Sequence, residues 1–313
     1  MSIKKFIKHG FQKPLSNTVN YLLKAFNIFV IYRIGNAIGD QLCMSAIVRL
    51  IDEQYPYKIV VISSYPEIFK GNPRVWRNIG VKRYSLYISR ILRFLSGPQL
   101  ENFLFKNDRY SFEEYMRSSG KELHLVKAHS LHFNHVINYK KIQNEIYLSK
   151  SEVDKYAKKF NLPESYSIIQ PNSKISYTPN KQWDVGNFQK VVDNRMDIHW
   201  VQVGGQNEFL LNSVEDYRDE TTLRELFYIV SRSRFVFANE GLINHIASAF
   251  KVTSYVISSG FSCSSLAKYD NSVFFDASGS CENSPCWLLD ECGVSGKPCL
   301  SNIDPETVVS RLP

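Results

Sequence analysis

The sequence predicts an α/β protein made of two doubly wound, Rossmann-like domains, and three observations carry that prediction. The second half alternates strand and helix patterns, the first half opens on a strand, helix, strand unit, and 313 residues suffice for two domains of roughly 150 residues each. The composition, 44% hydrophobic and 22% charged, is that of a globular chain with two ordinary cores.

In the first half "NIFVIYRI" is a β-branched and aromatic run ending at Gly35. It is followed by "DQLCMSAIVRLIDEQYP", in which Leu42, Ala46, Ile47, Leu50 and Ile51 fall on one helical stripe, and then by the strand pattern "KIVVISS". A strand, helix, strand unit makes the two strands parallel. From Gly71 to Glu145 no order of elements is readable. The second half reads as strand "YSIIQP", helix "WDVGNFQKVVDNR", strand "IHWVQVGG", helix "TLRELFYIVSRS", strand "RFVFA", helix "LINHIASAF" and strand "TSYVIS". Thr222 with Glu225 fits a capping box at the start of its helix. The charged stretch Leu148–Ser165 suits a junction, so the expected division is a basic lead over 1–27, a first domain over 28–150 and a second over 151–313. Two such domains imply a cleft between the carboxyl ends of their sheets, where ligands of this architecture bind.

The formal charge of +8 is unevenly placed. Lys4, Lys5, Lys8, Lys13, Lys24 and Arg33 precede the first carboxylate, Asp40. In the same stretch Ile3, Phe6, Ile7 and Phe11, then Leu15, Val19, Leu22, Leu23 and Phe26, recur at helical spacing. Such a lead either lies on an anionic membrane face or packs its stripe on the body of the protein. No apolar run approaches the roughly 20 residues of a membrane span, and no cleavable secretion signal opens the chain, so a cytoplasmic protein, at most held at the inner face of a membrane, is expected. A second basic block, Lys70, Arg74, Arg77, Lys82, Arg83, Arg90 and Arg93, has no acid between Glu67 and Glu101. It suits an anionic, phosphorylated ligand, with a solvated face as the alternative. Neither block carries a nucleic-acid reading motif, and nucleic acid is not an expected partner.

The strand-to-helix loops hold the candidate chemistry. "GNAIGD" lacks both the dinucleotide fingerprint and the lysine of a phosphate-binding loop, yet Gly35 and Gly39 let backbone approach a ligand closely. Asp40 is either the cap of the following helix or a general base. In the second half, Ser173 and Lys181 of "QPNSKISYTPNKQW" suit phosphate and Glu208 of "GGQNE" suits a ribose diol. In "NEGLINH" a helix beginning at Gly241 offers amides to an anion, while His245 reads most simply as a hydrogen-bonded core histidine.

The stretches "YRIGNAIGDQLCMSAIVRLIDEQYP", "NKQW", "VQVGGQNE", "TTLRELFYIVSRS" and "NEGLINHIASAF", in this order over residues 28 to 312, resemble glycosyltransferase family 9, the heptosyltransferase family of bacterial lipopolysaccharide synthesis. The resemblance implies a GT-B architecture, with the acceptor held by the first domain and the nucleotide sugar by the second across a central cleft. It implies sugar transfer with inversion, no cofactor required for catalysis, and Asp40 as catalytic base. On the donor side it points to Ser173, Lys181, Gly205, Glu208, Asn239, Glu240, Gly241, Leu242 and His245, with Lys181 on phosphate and Glu208 on ribose. The acceptor side would draw on Gly39, Arg74, Arg77, Lys82 and Arg83. The implied partners are a nucleoside diphosphate sugar, ADP-heptose first, and a phosphorylated glycan or glycolipid near a membrane. The chain departs from the family where Asn239, Glu240 and Gly241 stand in place of Asp-Thr-Gly. A GT-B sugar-nucleotide epimerase or hydrolase, and a non-catalytic binder of anions, are the alternatives.

Cys281, Cys286, Cys292 and Cys299 cluster with gaps of four, five and six residues, wider at the start than most zinc sites. Relatives in the family that modify proteins carry a four-cysteine iron site near the C-terminus, so either a structural metal or free or bridged thiols is expected here. Cys43 and Cys263 read as buried thiols. His124, His129, His132 and His135 match no metal spacing and suit acceptor-loop or structural roles.

Overall fold

The computed structural model describes residues 17–81, 103–105, 123–130, 137–139, 141–174, 176–205 and 207–313. The chain divides into two compact units, Met1–Tyr115 with Leu125–Tyr147, and Met116–His124 with Leu148–Pro313. The early part of the basic lead, residues 1–16, lies outside the described residues; residues 17–25 are helical, and Tyr21, Leu22 and Phe26 near the end of that helix are exposed. Among the described residues no helix is long and apolar enough to cross a membrane.

The first unit holds β1 (Ile28–Arg33), α1 (Ile38–Gln54), β2 (Lys58–Ser63), β3 (Val75–Gly80) and β4 (Phe103–Phe105), in a parallel sheet of order β3-β2-β1-β4. β1 is central because Phe29, Val30, Ile31 and Tyr32 are apolar on both faces, and all four are buried. Its register with β2 runs unbroken from Ile28 opposite Lys58 to Arg33 opposite Ser63. The predicted stripe of α1 is buried at every position, and burial extends over the whole stretch from Gln41 to Val48. α1 is enclosed because it packs on β1 and β2 and also on a short helix, α2 (Leu125–His129).

The second unit begins with α3 (Lys150–Lys159), so the charged stretch read as the junction is a helix. Ser149 and Glu152 form a capping box, and the Glu152 carboxylate pairs at 2.7 Å with Arg224 in a buried contact, so the charged stretch is a helix fastened to its own unit. The break between units falls at Tyr147 and Leu148. Then follow β5 (Ser167–Gln170), α4 (Val185–Asn194), β6 (Trp200–Gln202), β7 (Glu215–Asp216), α5 (Leu223–Arg232), β8 (Phe235–Asn239), α6 (Leu242–Phe250), β9 (Thr253–Ser258) and β10 (Ser272–Asp276), with α7 (Pro298–Ser301) and α8 (Pro305–Arg311) closing the chain. All six strands are parallel in the order β7-β6-β5-β8-β9-β10. This doubly wound order reverses direction between β5 and β8, and the crevice at that reversal is where such sheets bind ligands. The core beneath it is aromatic, with Trp183, Phe188, Trp200, Phe235 and Phe237 at most 2% exposed and Trp183 edge-on to Phe188 at 5.0 Å.

α5 shows how the sequence starts a helix. Thr222 accepts from the Glu225 amide while the Glu225 carboxylate returns to the Thr222 amide at 2.9 Å, and Lys159 adds an ion pair at 2.8 Å. Burial pushes the Glu225 carboxyl up, but the Lys159 ammonium and the Thr222 donors outweigh it and hold it below its ordinary value. A lowered carboxyl stabilises the fold above its unfolded-state pKa and loses that contribution as pH falls through the folded one. Thr222→Ala is expected to cost about 1 kcal/mol in urea unfolding. The wild type should lose stability in urea unfolding on acidification below that carboxyl's ordinary range, and Glu225→Gln should flatten that loss.

Candidate functional site

In the first unit, the carboxyl end of β1 passes through Gly35, whose φ of 144° is a conformation that side chains avoid, and into α1. The loop is pinned by Gln41, a fully buried amide: its Nε2 donates to the Gly35 carbonyl at 2.8 Å, and its Oε1 accepts from the Ser64 amide at 3.0 Å. Ser64 Oγ in turn accepts from the Gly35 amide at 3.2 Å, so the loops after β1 and β2 are tied into one piece. Asp40 does not cap α1. The cap position is Ala37, which makes no side-chain bond, and Asp40 is the third residue of the helix, one after Gly39. A capping side chain must precede the first turn in extended backbone, and Asp40 is already past it. Its carboxylate accepts instead from Arg33 Nη2 at 2.5 Å, across the loop from the last residue of β1, and remains 30% exposed.

Within the basic block, Arg74 is opposed by three acids of its own unit. Arg74 meets Asp52 at 2.6 Å, Glu145 at 3.1 Å and Glu53 at 3.7 Å. Burial works against its charge, but Asp52 and Glu145 outweigh it and raise its pKa further. Arg74, an expected acceptor contact, is therefore engaged inside its own unit by acids distant in sequence. Arg77 is exposed, its guanidinium 4.5 Å from the Trp76 ring centre. Lys82, Arg83, Arg90 and Arg93 lie outside the described residues, as do His132 and His135.

In the second unit the two loops that diverge between β5 and β8 are joined by Asn239. Its Nδ2 donates to the Pro171 carbonyl at 2.6 Å and its Oδ1 accepts from the Trp183 amide at 3.2 Å. Gln182 adds bonds to the Pro171 carbonyl and from the Ser173 amide, at 2.6 and 2.7 Å. Thr178 caps the short turn Pro179–Lys181, and Thr178 and Asn180 both donate to the Leu288 carbonyl at 2.9 Å, with a second Asn180 bond to the Asp290 carbonyl at 2.7 Å. On this braced turn the Lys181 ammonium lies 5.1 Å from the Phe261 ring centre and pairs with the Glu240 carboxylate. Burial pushes Glu240 up, but the Lys181 charge and hydrogen bond, with His245 behind, hold it below its ordinary value. Glu240 is followed by Gly241, the cap position of α6, which supplies no side chain to the first amides of that helix, and by Leu242, its partly exposed first residue. Asn172 Oδ1 and Ser173 Oγ on the neighbouring loop are buried with no hydrogen-bond partner among the described residues. His245 is buried and bonds the Tyr269 hydroxyl at 2.7 Å, as read from the sequence.

After β6 the chain turns at Gly204, with φ of 149°, and Glu208 folds back over it. The carboxylate is buried enough to raise its pKa against the pull of the Gly205 amide and Arg218, and its Oε2 has no partner among the described residues. A buried carboxylate oxygen without a donor is costly unless something supplies one.

Cys281, Cys286, Cys292 and Cys299 line one pocket together with Gly260, Phe261 and Asn180, and all six cysteines are free thiols. Cys43 is buried as expected, while Cys263 is partly exposed. Burial raises the Cys299 thiol, and Cys281, Cys286 and Cys292 add to the rise. As placed, no three His, Cys, Asp or Glu side chains among the described residues meet closely enough to hold an ion.

Gln41, Thr178, Asn180 and Gln182 carry no signal in the sequence, and Arg33 stands out there only as one of the basic residues before Asp40. Each acts through bonds to backbone groups or to a residue across a loop, which no spacing rule encodes. A methyl group at Gly204 would sit 2.0 Å from Glu208 Oε2, whereas one at Gly205 meets nothing closer than 3.6 Å. Gly204→Ala is therefore expected to cost about 1–3 kcal/mol in urea unfolding, through backbone strain and the displaced carboxylate, and Gly205→Ala to stay within about 0.5 kcal/mol of wild type.

No family model and no curated protein matches this chain by sequence. Solved structures do match it in fold. The chain is similar to a glycosyl transferase family 9 protein from Veillonella parvula, with a TM-score of 0.66 and 14% identity over 91% of this chain and 95% of that one. It is similar to the ADP-heptose lps heptosyltransferase II of E. coli, with a TM-score of 0.58 and 14% identity over 90% and 97% of the two chains. It is also similar to the iron-containing dodecameric glycosyltransferase TibC of enterotoxigenic E. coli, with a TM-score of 0.62 and 12% identity over 91% of this chain and 74% of that one. With its two parallel-sheet units and these likenesses along nine-tenths of its length, the chain has the GT-B fold.

Proposed function

We propose that this chain is a glycosyltransferase that moves a sugar from a nucleoside diphosphate sugar to a hydroxyl of a bacterial surface glycan such as lipopolysaccharide, with inversion and with no metal at the reacting atoms. The observation that carries the reading is the switch point of the second sheet, where Lys181 stands at the uncapped amino end of α6. A cation and free helix amides at the carboxyl edge of a doubly wound sheet suit a diphosphate. Ser173 Oγ and Asn172 Oδ1, buried without partners, suit further polar atoms of the same ligand, and Glu208 Oε2 suits the two hydroxyls of a ribose. The similar E. coli heptosyltransferase is named for ADP-heptose, which makes that the donor to try first.

In the first unit the base is Asp40, and Arg33 is its positioning residue: the guanidinium fixes the carboxylate on the exposed side of the Gly35 loop. As the acceptor oxygen bonds to the anomeric carbon, Asp40 takes its proton; the bond from that carbon to the phosphate oxygen breaks on the opposite face and its electron pair leaves with the diphosphate. Lys181 and the α6 amides stabilise the charge that builds on the leaving group. Gly39 and Arg77 of the first unit, with Lys82 and Arg83, belong to the acceptor side, while Arg74 keeps that side's backbone in place. The basic lead would hold the enzyme at the inner face of a membrane, next to a phosphorylated, lipid-linked acceptor.

The four C-terminal cysteines would hold a structural metal only after their side chains close in, since as placed no three of them meet at one point. Four soft sulfur donors share one pocket, and the burial that raises the Cys299 thiol is a cost that a bound cation relieves. TibC is described as iron-containing. A metal bound by Cys281, Cys286, Cys292 and Cys299 would cross-link the stretch that receives the Thr178 and Asn180 bonds, and would take no part in transfer.

Asp40→Asn should lower the transfer rate by roughly 10²- to 10⁴-fold with nucleotide affinity unchanged, and the wild-type product should carry the inverted anomeric configuration by NMR. Normal turnover by that variant would remove Asp40 as base, and release of free sugar regardless of acceptor would favour a hydrolase. Elemental analysis of the purified chain should find about one metal ion per chain, lost together with several degrees of melting temperature in a Cys281→Ser, Cys299→Ser double variant. A metal-free protein whose melting temperature is unmoved by the substitutions would leave the cysteines as plain thiols.

A further inference from the structure

We propose that Glu240 is the resident counter-ion of Lys181, displaced when a diphosphate arrives, so that donor binding by this protein takes up a proton. The inference rests on the reading of Lys181 as the phosphate-binding cation and adds a function for the carboxylate paired with it.

Lys181 offers one ammonium, and Glu240 already holds it. The two side chains are only 17% and 12% exposed, so water is a poor substitute for either partner. The titratable groups that face Glu240 among the described residues are Lys181, from the Pro179–Lys181 turn, and His245, from α6, which is bonded to the Tyr269 hydroxyl. A diphosphate reaching the amino end of α6 brings negative charge next to Glu240 and competes for the same ammonium. A buried carboxylate that loses its cation to a neighbouring anion is destabilised in its charged form by burial and by like-charge repulsion together. Taking up a proton removes both costs. The neutral carboxylic acid then donates a hydrogen bond where the carboxylate repelled. When the diphosphate leaves, Glu240 releases that proton and recovers Lys181, which favours product departure.

Burial alone pushes the Glu240 carboxyl up, and the contacts with Lys181 are the main influence opposing it, so diverting that ammonium moves the group toward protonation. The sign follows: binding that takes up protons tightens as pH falls. The Asp-Thr-Gly pattern has no acid at this position, and a chain of that kind would bind donor without this uptake through the same helix end.

Isothermal titration calorimetry with ADP-glucose, GDP-glucose and UDP-glucose tests this, because the phosphates of these diesters do not titrate near neutral pH. For the tightest binder, the wild-type enthalpy should depend on buffer ionisation with an uptake approaching one proton per site, and affinity should rise by up to roughly tenfold per unit fall in pH where uptake is complete. Glu240→Gln should bind more tightly, on the order of tenfold, with no uptake, because Lys181 is then uncompensated. Wild-type binding with no proton uptake would overturn the inference, and this measurement stands even where the variant does not fold. Weaker binding by Glu240→Gln would also overturn it, placing Glu240 on the sugar instead. Lys181→Ala separates the two levels: unchanged affinity there would remove the donor-site reading itself, and binding of none of the three donors would remove both.

Discussion

One buried amide, that of Asn239 at the end of β8, bonds to the backbone at both ends of the loop that follows β5 and thereby makes a site out of a gap. Between β5 and β8 a doubly wound sheet sends its chain away in opposite directions, and nothing in the strand ladder itself holds the departing loops together. Asn239 does so through the Pro171 carbonyl and the Trp183 amide, and Gln182 closes the loop after β5 on itself through the same Pro171 carbonyl. Lys181 lies two residues before Trp183, and Glu240 directly follows Asn239. A cation and an acid are thus brought together by a neutral hinge that is buried and fully bonded. The Asn239 amide gives the cross-link a donor and an acceptor at once, which a carboxylate would not, and the negative charge stands one residue onward, on Glu240, facing Lys181.

The first unit solves the same problem with a different amide. Gln41, on the buried side of α1, ties the loops after β1 and β2, while its neighbour Asp40 points to Arg33. Adjacent helix residues point about 100° apart, so one side chain builds the loop while the next remains accessible. That division explains why the first carboxylate of the chain sits where it does. It is spared from capping because Ala37 takes the cap position, leaving the carboxylate to a partner on the strand.

Periodicity and turn chemistry made the fold legible wherever elements are buried or capped in sequence: the α1 stripe, the Thr222–Glu225 box and the alternation from Ser167 to Ser258 all appear as read. The region from Gly71 to Glu145 was unreadable for a physical reason. β3 is an edge strand whose residues are mostly exposed and β4 has three residues, so neither carries a pattern. The stretch after Leu148 does begin the second unit, but a helix held by a capping box and one buried ion pair looks charged and apolar-poor in sequence, like a linker. Arg74 misled because charge opposition was judged along the chain, while Asp52, Glu53 and Glu145 reach it through space. Lys181, Glu208 and Glu240 were visible as types in loops. Their state was not, since the Lys181–Glu240 pair and the unpartnered Glu208 oxygen exist only once the loops have been folded together.

The account stands on Lys181 as the cation of a diphosphate site, and the thermal stability of the wild type and of Lys181→Ala with a nucleoside diphosphate reads that claim most directly. At 100 times its dissociation constant the nucleotide should stabilise the wild type by about 2.7 kcal/mol, and the same concentration should leave the variant nearly unshifted. Equal stabilisation of both chains, or none of the wild type by any nucleoside diphosphate, would contradict it.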